Sequence, residues 1–545
     1  MRKPITVVVV VGLMLVFGSL VSIAQASEQL EAERVPNISG GAQSVIDPVD
    51  VSQIQDLLEG TPADLLAAGT NPLQSMTRID KAFEGFDFDD NGSENDGFRF
   101  IPPDPIGAAG LSRVIAVTNT MIEGLNKGGS VMFRSGLADF FAPLSPTTFT
   151  FDPKVVYDEH EDRYVVATLE RVASGNAVDP GNISRVLLAV SKDGNPKTAT
   201  ARDWFYQAID SKLLYVGFVE LWADYPGFEV DEEAIYVTAN MFAFPPYSGY
   251  AGVQLLIVDK GLGSDGLYDG GASAVGQYDP YASGGIATTT MPTQIHGEGG
   301  VLPGSEIGTF LVSYSGLTYG GPGAPEALQV VTVVDPLGRS GGPYFLPEFV
   351  DIGDIEDVGG VFGFPALPDA PQLGTDALIE VNDRRALDAV WRDDSLWVTT
   401  TIIPNAGADA GETTAHWFKI DAGAGPGALI LDDQGDIGGE DIAAGTFTFF
   451  PAVAVNRNNQ AMFGFSGSAP SIFAGAFAAG RNPADPSGSV RESMVVREGV
   501  DSYFRTFGGS RNRWGDYSGI STDPSNDKFF WIFNQYAAER GTIFS

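Results

Sequence analysis

Residues 152–170 have the sequence "DPKVVYDEHEDRYVVATLE". It predicts two short strands rich in Val and Tyr, separated by a charged turn, because β-branched and aromatic residues favour strands and Asp favours turns. The same order recurs along the chain: a turn with Asp or an aromatic residue, a short strand, a polar turn and a second strand. The fold is therefore predicted to be built from repeats.

About seven copies of this pattern occur, at a mean spacing of roughly 70 residues, which is longer than the ~40–50 residues of compact propeller repeats. The excess length falls in loops rich in Gly, Ala and Asp, such as residues 262–285 and 403–445. The other copies are "PPDPIGAAGLSRVIAVTNT" from 102, "DYPGFEVDEEAIYVTANMF" from 224, "QIHGEGGVLPGSEIGTFLVSYS" from 294, "DAVWRDDSLWVTTTI" from 388, "FPAVAVNRNNQAMFGFSGS" from 450 and "DYSGISTDPSNDKFFWIFNQY" from 516.

Repeated antiparallel units with little helical periodicity predict an all-β protein, and we expect a β-propeller of seven blades. The apolar run at residues 529–533 would then seal the last blade against the first. The alternative is a row of two-sheet sandwiches. That arrangement predicts linkers between the copies, and the sequence has no Pro-rich or Ser-rich linker there.

The chain divides into three predicted regions. Residues 1–26 have a basic start, an apolar run and the small-x-small motif "AQA", which are typical of a secretory signal peptide. Residues 27–85 form an acidic segment, expected to be partly helical or disordered, and residues 86–545 form the propeller. Without cysteine, the exported chain would fold without disulfides, and its length allows a large core.

The charge balance limits the partners. Lys and Arg count 32 against 70 for Asp and Glu, so the formal net charge is −38. Nucleic acid is excluded as a partner because its binding relies on basic side chains. We expect a secreted protein, extracellular or periplasmic, with no transmembrane anchor; the oligomeric state stays open. The acidity serves either solubility or the capture of cations.

Several segments resemble those of a largely uncharacterised family of secreted bacterial proteins with a sialidase-like β-propeller. The resemblance covers about residues 85–540, with the segments in the same order, and implies the same fold. It includes "PPDPIGAAG", "FDPKVVYDEHEDRYVVA", "ADYPGFEVDEEAIYVTANMF", "NDRRALDAVWRDDSLWVTTTI", "FPAVAVNRNNQAMFGFSGSAPS" and "RWGDYSGISTDPSNDKFFWIFNQYA".

A ligand site is predicted at one mouth of the central channel. If each inner strand starts there, the residues that begin the repeats would gather in a ring, with Gln294 or His296 and Phe450 at two of the places. Carboxylates in such a ring would bind a cation or a polyhydroxylated ligand. The alternative is that each Asp caps its own turn. The candidate ligand-binding residues are Asp104, Asp152, Asp224, His296, Asp388, Arg513, Asp516 and Tyr517.

A calcium loop is predicted in "DFDDNGSENDG", residues 87–97, before the first blade. Its spacing matches a calcium-binding loop except at the twelfth position, where Phe98 replaces the usual Glu. The alternative is a solvated acidic turn. The candidate metal ligands are Asp87, Asp89, Asn91, Ser93 and Asn95.

Two functions from different classes fit these observations. The first is a ligand-binding or cell-surface interaction module directed at glycans or other extracellular polymers. The second is a carbohydrate-active enzyme, a glycoside hydrolase or polysaccharide lyase, with its site at the propeller mouth. We favour binding, because the arginines and tyrosines available for a sialidase-type or lyase site do not combine with a recognisable acid–base pair.

Overall fold

The computed structural model describes most of the chain from the end of the acidic segment onward. The predicted signal peptide and nearly all of the acidic segment lie outside the described residues. The described residues are 79–539, with gaps at 216, 298–306, 315–324, 357–366 and 507–508.

The described chain is an all-β protein in which six sheets of four or five strands, antiparallel except for one short pair, form the blades of a β-propeller. A seventh, smaller sheet has only two strands. The prediction of an all-β propeller is confirmed, whereas the predicted number of seven blades is wrong.

Blades 1 to 3 follow one another along the chain, and the first strand of blades 1 and 2 is their innermost strand. In blade 3 the innermost strand is β10, and the short β9 pairs with its beginning. The strands are β1 (Ile106–Ala109), β2 (Arg113–Thr118), β3 (Met121–Asn126) and β4 (Val131–Gly136); β5 (Thr150–Asp158), β6 (Arg163–Val172), β7 (Ile183–Ser191) and β8 (Trp204–Asp210); and β9 (Leu213–Tyr215), β10 (Val219–Val230), β11 (Ala234–Ala243), β12 (Tyr250–Asp259) and β13 (Val275–Tyr278).

Blades 4 to 6 complete the set of large sheets. Blade 4 contains β14 (Thr290–Pro292), β16 (Ile307–Ser313), β17 (Glu326–Val334) and β18 (Tyr344–Gly353). Blade 5 contains β15 (Gln294–Ile295), which pairs in parallel with β19 (Asp388–Arg392), and then β20 (Ser395–Ile402), β21 (Thr414–Asp421) and β22 (Ile430–Ile437). Blade 6 contains β23 (Phe447–Val455), β24 (Ala461–Ala469), β25 (Ile472–Arg481) and β26 (Met494–Arg497).

Helix is scarce in the described residues. The two α-helices are α1 (Phe88–Glu94) and α2 (Leu137–Phe140), and two single turns of 3-10 helix span Ala142–Leu144 and Leu267–Asp269. None of the described helices combines the length and the apolar character that a membrane crossing requires.

The hydrophobic core lies between neighbouring blades. Val165 and Val186 of blade 2, for example, share one buried cluster with Val237 and Leu256 of blade 3. Strands such as β6 and β11 are nearly continuous apolar runs because both of their faces are covered by neighbouring blades. Each fully buried Val or Leu side chain contributes about 1.5–3 kcal/mol relative to an exposed one. The blades therefore stabilise one another rather than folding independently.

The seventh repeat forms only a hairpin, β27 (Gly519–Thr522) with β28 (Phe530–Phe533). The residues that follow do not continue as a third strand. Instead Ala537 N–H donates to Ala474 O, and Val500 N–H donates to Ala537 O, so this segment runs along blade 6. The chain after β28 therefore pairs with blade 6, and among the described residues the seventh repeat stays a two-stranded hairpin.

The hairpin lies between blade 6 and blade 1. Ser518 Oγ donates to Phe450 O in blade 6, and Ala109 N–H of blade 1 donates to Ser521 Oγ. Gly107 of blade 1 has its α-carbon against the ring of Phe533, so a side chain at this position would overlap that ring. The close approach of hairpin and blade therefore requires glycine at residue 107.

We predict that Gly107→Ala lowers the free energy of unfolding by about 1–3 kcal/mol, the usual cost of overpacking a tight contact. The measurement is denaturant unfolding. Gly85→Ala is the matched control, because its added Cβ would meet only Glu123 Oε1, at 3.8 Å. Adding Phe533→Leu to Gly107→Ala should recover part of the loss. Equal stability of the two alanine variants would contradict the contact.

Candidate functional site

The inner strands begin with a recurring backbone feature, a left-handed residue followed by proline. It occurs at Asp104, Asp152, Tyr225 and Phe450, with φ between 48° and 51°. In β5, β10 and β23 the strand register shifts at this point, which marks a β-bulge. The bulges place corresponding residues of several blades at the same end of the ring.

Carboxylates near these bulges join one blade to the next. Asp516 N–H donates to Asp104 Oδ1 at 2.6 Å, and Tyr225 N–H donates to Asp152 Oδ2 at 3.1 Å. Val453 N–H of blade 6 likewise donates to Asp388 Oδ2 of blade 5, at 2.9 Å. These carboxylates accept from the backbone of a neighbouring repeat, which differs from the capping of their own turns.

Three of the predicted site residues form one buried acidic group, which we call the acidic floor: Asp104, Asp152 and Asp516. One oxygen of each lies within 4.8 Å of the others, so the group could bind a metal ion, although its geometry does not identify calcium. Arg513 Nη2 donates to both Asp516 oxygens, at 2.7 and 2.6 Å. Asn382 Nδ2 donates to the same carboxylate at 2.6 Å.

The protonation of the acidic floor is uneven. Burial, followed by the charge of Asp516, raises the pKa of Asp104 well above its usual range. Burial opposes ionisation of Asp516 as well, but Arg513 and Arg385 lower the pKa of that carboxyl. The floor therefore holds an ionised carboxylate beside one that resists ionisation.

Lys154 brings a positive charge to this group. Its Nζ lies 3.0 Å from the centroid of the Tyr517 ring. Burial lowers the pKa of Lys154 to about 8, although the carboxylates of Asp388 and Asp104 favour the ammonium form. A cation–π contact of this kind contributes about 2 kcal/mol or more when it is desolvated.

Aromatic side chains close this end of the channel. Tyr225 Oη donates to Asp516 O at 3.0 Å, and Tyr517 Oη donates to Pro153 O at 3.2 Å. The two rings lie 5.9 Å apart at a steep angle, and Arg385 lies 4.2 Å from the Tyr225 ring. All of these side chains are buried.

The channel above the floor is a cavity of about 70 Å³ lined by inner strands of the blades and by β27. Lys154, Asp388, Glu229, His296 and Glu159 are among its lining residues. Glu159 is partly exposed, at 35% of its side chain, whereas the floor is buried. The channel is therefore closed at the acidic floor and faces solvent at the end that carries Glu159, which we call the open mouth.

The open mouth carries an acid–imidazole pair. His296 Nδ1 lies 3.2 Å from Glu159 Oε1. Burial opposes ionisation of Glu159, but the charge and hydrogen bond of His296 lower its pKa to about 2. His296 Nε2 is buried and has no hydrogen-bond partner among the described residues.

Two further carboxyl groups in the channel resist ionisation. Burial raises the pKa of Asp388 to about 7. Burial and the charge of Asp388 raise the pKa of Glu229 well above its usual range. Glu229 Oε2 is buried without a hydrogen-bond partner in the described part of the chain.

The predicted site residues are thus split between two ends of the channel. Asp104, Asp152, Arg513, Asp516 and Tyr517 lie at the closed floor, where we had expected an accessible mouth. Asp388 and Gln294 line the channel, His296 lies at the opposite end, and Phe450 is in the core. Asp224 precedes the bulge residue Tyr225 and is not part of the acidic floor.

The predicted calcium loop has a different structure, because residues 88–94 form helix α1. Asp87 caps it by accepting from Asp89 and Asp90 N–H, while Asp89 pairs with Arg99 at 2.8 Å. Asn91 Nδ2 donates to Asn119 O at 3.0 Å. Ser93 and Asn95 donate to backbone carbonyls within the segment. The Asn91 bond ties the helix to blade 1, whereas the other contacts lie within or beside the segment. The assignment of these side chains as calcium ligands stays a prediction.

Sequence reasoning missed three channel residues and two floor residues. Lys154, Glu159 and Glu229 in the channel and Asn382 at the floor gave no signal as single residues, since polar residues in turns and strands are common. Tyr225 did have a signal, because aligning the prolines of the repeats places it, rather than Asp224, at the position of Asp104 and Asp152.

Comparisons with known proteins give only distant structural likeness. No protein-family model and no curated protein matches the chain. Solved structures that resemble it include an exo-1,5-alpha-L-arabinanase from a bovine ruminal metagenomic library (13% identity, 60% of this chain and 95% of that chain, TM-score 0.30). A thermostable family-43 glycoside hydrolase also resembles it (9% identity, 73% of this chain and 96% of that chain, TM-score 0.29). So does the Hadza microbial sialidase Hz136 (9% identity, 78% of this chain and 73% of that chain, TM-score 0.28). Likeness at this level carries no argument about activity, and membership of the secreted bacterial family stays a prediction.

We predict that Asp516→Ala lowers the free energy of unfolding by about 3 kcal/mol, because it leaves the partly buried Arg513 charge and the buried Asn382 amide without their carboxylate partner. Chemical denaturation measures this loss. Asp432→Ala is the control, since Asp432 is exposed and pairs with the half-buried Lys419 at the surface, and surface pairs contribute about 0–1 kcal/mol. A loss at Asp516 no larger than that at Asp432 would contradict a structural role for the acidic floor.

We also predict a pH signature for Asp388. Its pKa of about 7 in the folded protein exceeds the ~3.9 of an unfolded chain, so the folded state binds more protons between these values. This carboxyl therefore makes the free energy of unfolding fall as pH rises through that window, by on the order of 3 kcal/mol.

Asp388→Asn should remove this contribution. The free energy of unfolding of the unmodified chain, minus that of the variant, should then decrease from pH 4 to pH 7. Asp432→Asn corrects for the general effect of removing a negative charge. A difference that stays constant with pH would show that Asp388 titrates normally.

Proposed function

We propose that the protein is an exported ligand-binding propeller whose ligand is a glycan or another polyhydroxylated extracellular polymer. The ligand binds at the open mouth, where Glu159 and His296 meet. Export is the expectation from the first 26 residues, which lie outside the described part of the chain. The proposal rests on the shape and the polar chemistry of the channel.

The observation that carries the proposal is a pair of buried polar atoms that point to a ligand. His296 Nε2 and Glu229 Oε2 both belong to residues that line the channel, and neither has a hydrogen-bond partner among the described residues. An unsatisfied buried polar group costs about 1–3 kcal/mol. A ligand that bonds to these atoms recovers that cost.

A polyhydroxylated ligand suits this set of groups. Each hydroxyl both donates and accepts, so it can bond to a carboxylate, to either form of an imidazole and to an ammonium. Glu159, His296, Glu229 and Lys154 supply these three kinds of partner along one channel. A purely anionic ligand fits less well, because carboxylates outnumber cations there.

The size of the channel determines how the ligand binds. A cavity of about 70 Å³ is far smaller than the ~300–1,000 Å³ of pockets that enclose a whole small molecule. Only a terminal group of a larger ligand can enter it. The remainder of the ligand would lie over the open mouth, so binding is expected at chain ends rather than along a polymer.

Glycoside hydrolysis is the second candidate, and one specific observation favours it. The pKa of Asp388 is about 7 and that of Glu229 is raised, whereas the pKa of Glu159 is about 2. Carboxyl groups with such separated pKa values in one site can act as a proton donor and an ionised partner.

The test is a panel of neutral and acidic oligosaccharides, assayed by calorimetry for binding and by chromatography for products. We expect binding without products. His296→Gln or Glu229→Gln should weaken binding about 10-fold to 100-fold, the loss of one strong hydrogen bond. Products that disappear in Glu229→Gln would instead support the hydrolase.

Matched controls exist elsewhere in the molecule. His416 is a buried imidazole paired with Asp436 at 2.7 Å, outside the channel, so His416→Gln should leave binding unchanged. Glu326 is a buried carboxyl in blade 4 with a pKa of about 8, and Glu326→Gln serves in the same way. Equal losses in channel and control variants would reject the channel as the ligand site.

A further inference from the structure

Among the described residues, three carboxyl groups line the channel, and their bonding differs. Glu159 pairs with His296 at the open mouth, where Oε1 and Nδ1 lie 3.2 Å apart. Asp388 Oδ2 accepts from Val453 N–H at 2.9 Å. Glu229 Oε2, in contrast, is buried and has no hydrogen-bond partner in the described part of the chain. Glu229 is therefore the channel carboxyl group whose bonding a ligand can complete.

The lysine of the channel does not supply this partner. Lys154 belongs to the channel lining, but its Nζ lies 3.0 Å from the centroid of the Tyr517 ring at the closed floor. Burial raises the pKa of Glu229 most, and the charge of Asp388 raises it more than the charge of Lys154 lowers it. The channel thus has a cation directed at its floor and a carboxyl group at Glu229 that no nearby cation stabilises in its ionised form.

We propose that the end group of the ligand carries a primary ammonium, which binds to the carboxylate of Glu229 inside the channel. This inference rests on the proposed function, because it specifies the chemistry of the group that enters the channel. An ammonium donates three hydrogen bonds and accepts none, so it suits a buried carboxylate with a free oxygen. A hydrogen bond between two charged groups is roughly twice as strong as one between neutral groups, so a hydroxyl binds more weakly at this position.

The size of the channel limits how the ammonium is attached. The cavity of about 70 Å³ admits only a few atoms, since one water molecule needs about 10–15 Å³ of cavity volume. A methylene carbon and its ammonium fit this space, whereas a whole sugar ring stays over the open mouth. An amine on an exocyclic carbon therefore reaches Glu229 more readily than an amine bonded directly to a ring.

The charge of the molecule also favours a cationic end group. The formal net charge is −38, and a field of this sign attracts cations and accelerates their association. Burial opposes ionisation of Glu159, but His296 lowers its pKa to about 2, so a carboxylate stands at the open mouth. The acidity of the chain then contributes to capture of the ligand as well as to solubility.

Binding of an ammonium should release a proton. In the free protein, burial raises the pKa of Glu229 and favours its protonated form. An ammonium beside this carboxyl group lowers that pKa, so the carboxyl proton leaves to solvent while the ammonium keeps its own protons. A hydroxyl end group carries no charge and leaves Glu229 protonated.

Three matched glucose tetramers, linked β-1,4, test the proposal. They differ only at C6 of the non-reducing end residue, which carries a hydroxyl, an amine or an acetamide. Isothermal titration calorimetry with the full chain, in about 0.15 M salt to screen the surface charge, measures their affinities. We expect the amine tetramer to bind about 10-fold more tightly than the other two, the gain from one charge-assisted hydrogen bond. Titrations in buffers of different ionisation enthalpy should show proton release with the amine tetramer alone.

Glu229→Gln should remove both signals. The side chain keeps its shape and loses the ability to ionise, so the amine and hydroxyl tetramers should bind about equally and release no proton. Glu326→Gln is the matched control, because Glu326 is a buried carboxyl outside the channel whose pKa burial raises to about 8. This variant should keep the preference for the amine.

Each contrary result has a separate meaning. Equal affinity of the three tetramers for the unmodified chain overturns the ammonium inference and leaves the proposed function in place. A preference for the amine that persists in Glu229→Gln shows attraction by the acidic surface and overturns it as well. If no tetramer binds while other oligosaccharides do, the ammonium inference alone fails. If no oligosaccharide binds at all, the proposed function fails with it.

Discussion

The constraint on which the ring depends is the seam between its two ends, where Asp516 N–H donates to the buried Asp104 Oδ1 and Ala109 N–H donates to Ser521 Oγ. Asp104 is fully buried, and a buried carboxylate is costly unless it accepts hydrogen bonds. Asn119 Nδ2 supplies a second donor, at 2.6 Å, and Arg513 balances the charge of Asp516 next to it. The position of the hairpin and the closed floor of the channel follow from this seam. The shared cores between blades then need the ring to stay closed.

The sequence largely predicts where each inner strand starts. It does not predict which residue at that start lies at the end of the channel. Asp104 and Asp152 stand out because a turn residue, a proline and a short strand recur together. Tyr225 occupies the equivalent left-handed position with a different side chain, so a search for carboxylates selects its neighbour Asp224 instead. Backbone geometry, rather than side-chain chemistry, sets which residue faces the axis.

The number of blades and the channel residues were harder to predict for a related reason. The repeat pattern indicates the inner strands but not the number of outer strands that follow them. It therefore predicts a full blade where β27 and β28 form only a hairpin. The alternation of side chains along a strand predicts which face each one occupies only when the position of any β-bulge in that strand is known. Lys154 and Glu229 follow bulges, and His296 directly follows a strand of only two residues. Their convergence is a property of the closed ring.

The sequence distance across the seam has a consequence for folding kinetics. Residues 104 and 516 are 412 positions apart, so bringing them together has an entropic cost of about 5 kcal/mol for an otherwise unstructured loop. The strands inside each blade are joined by comparatively short connections, so this seam is the contact of highest sequence separation among those described at the ring closure. Because contacts between distant parts of a chain slow folding, we expect slow refolding of the closed ring, and a circular permutation that moves the chain ends away from the seam should make the contact local.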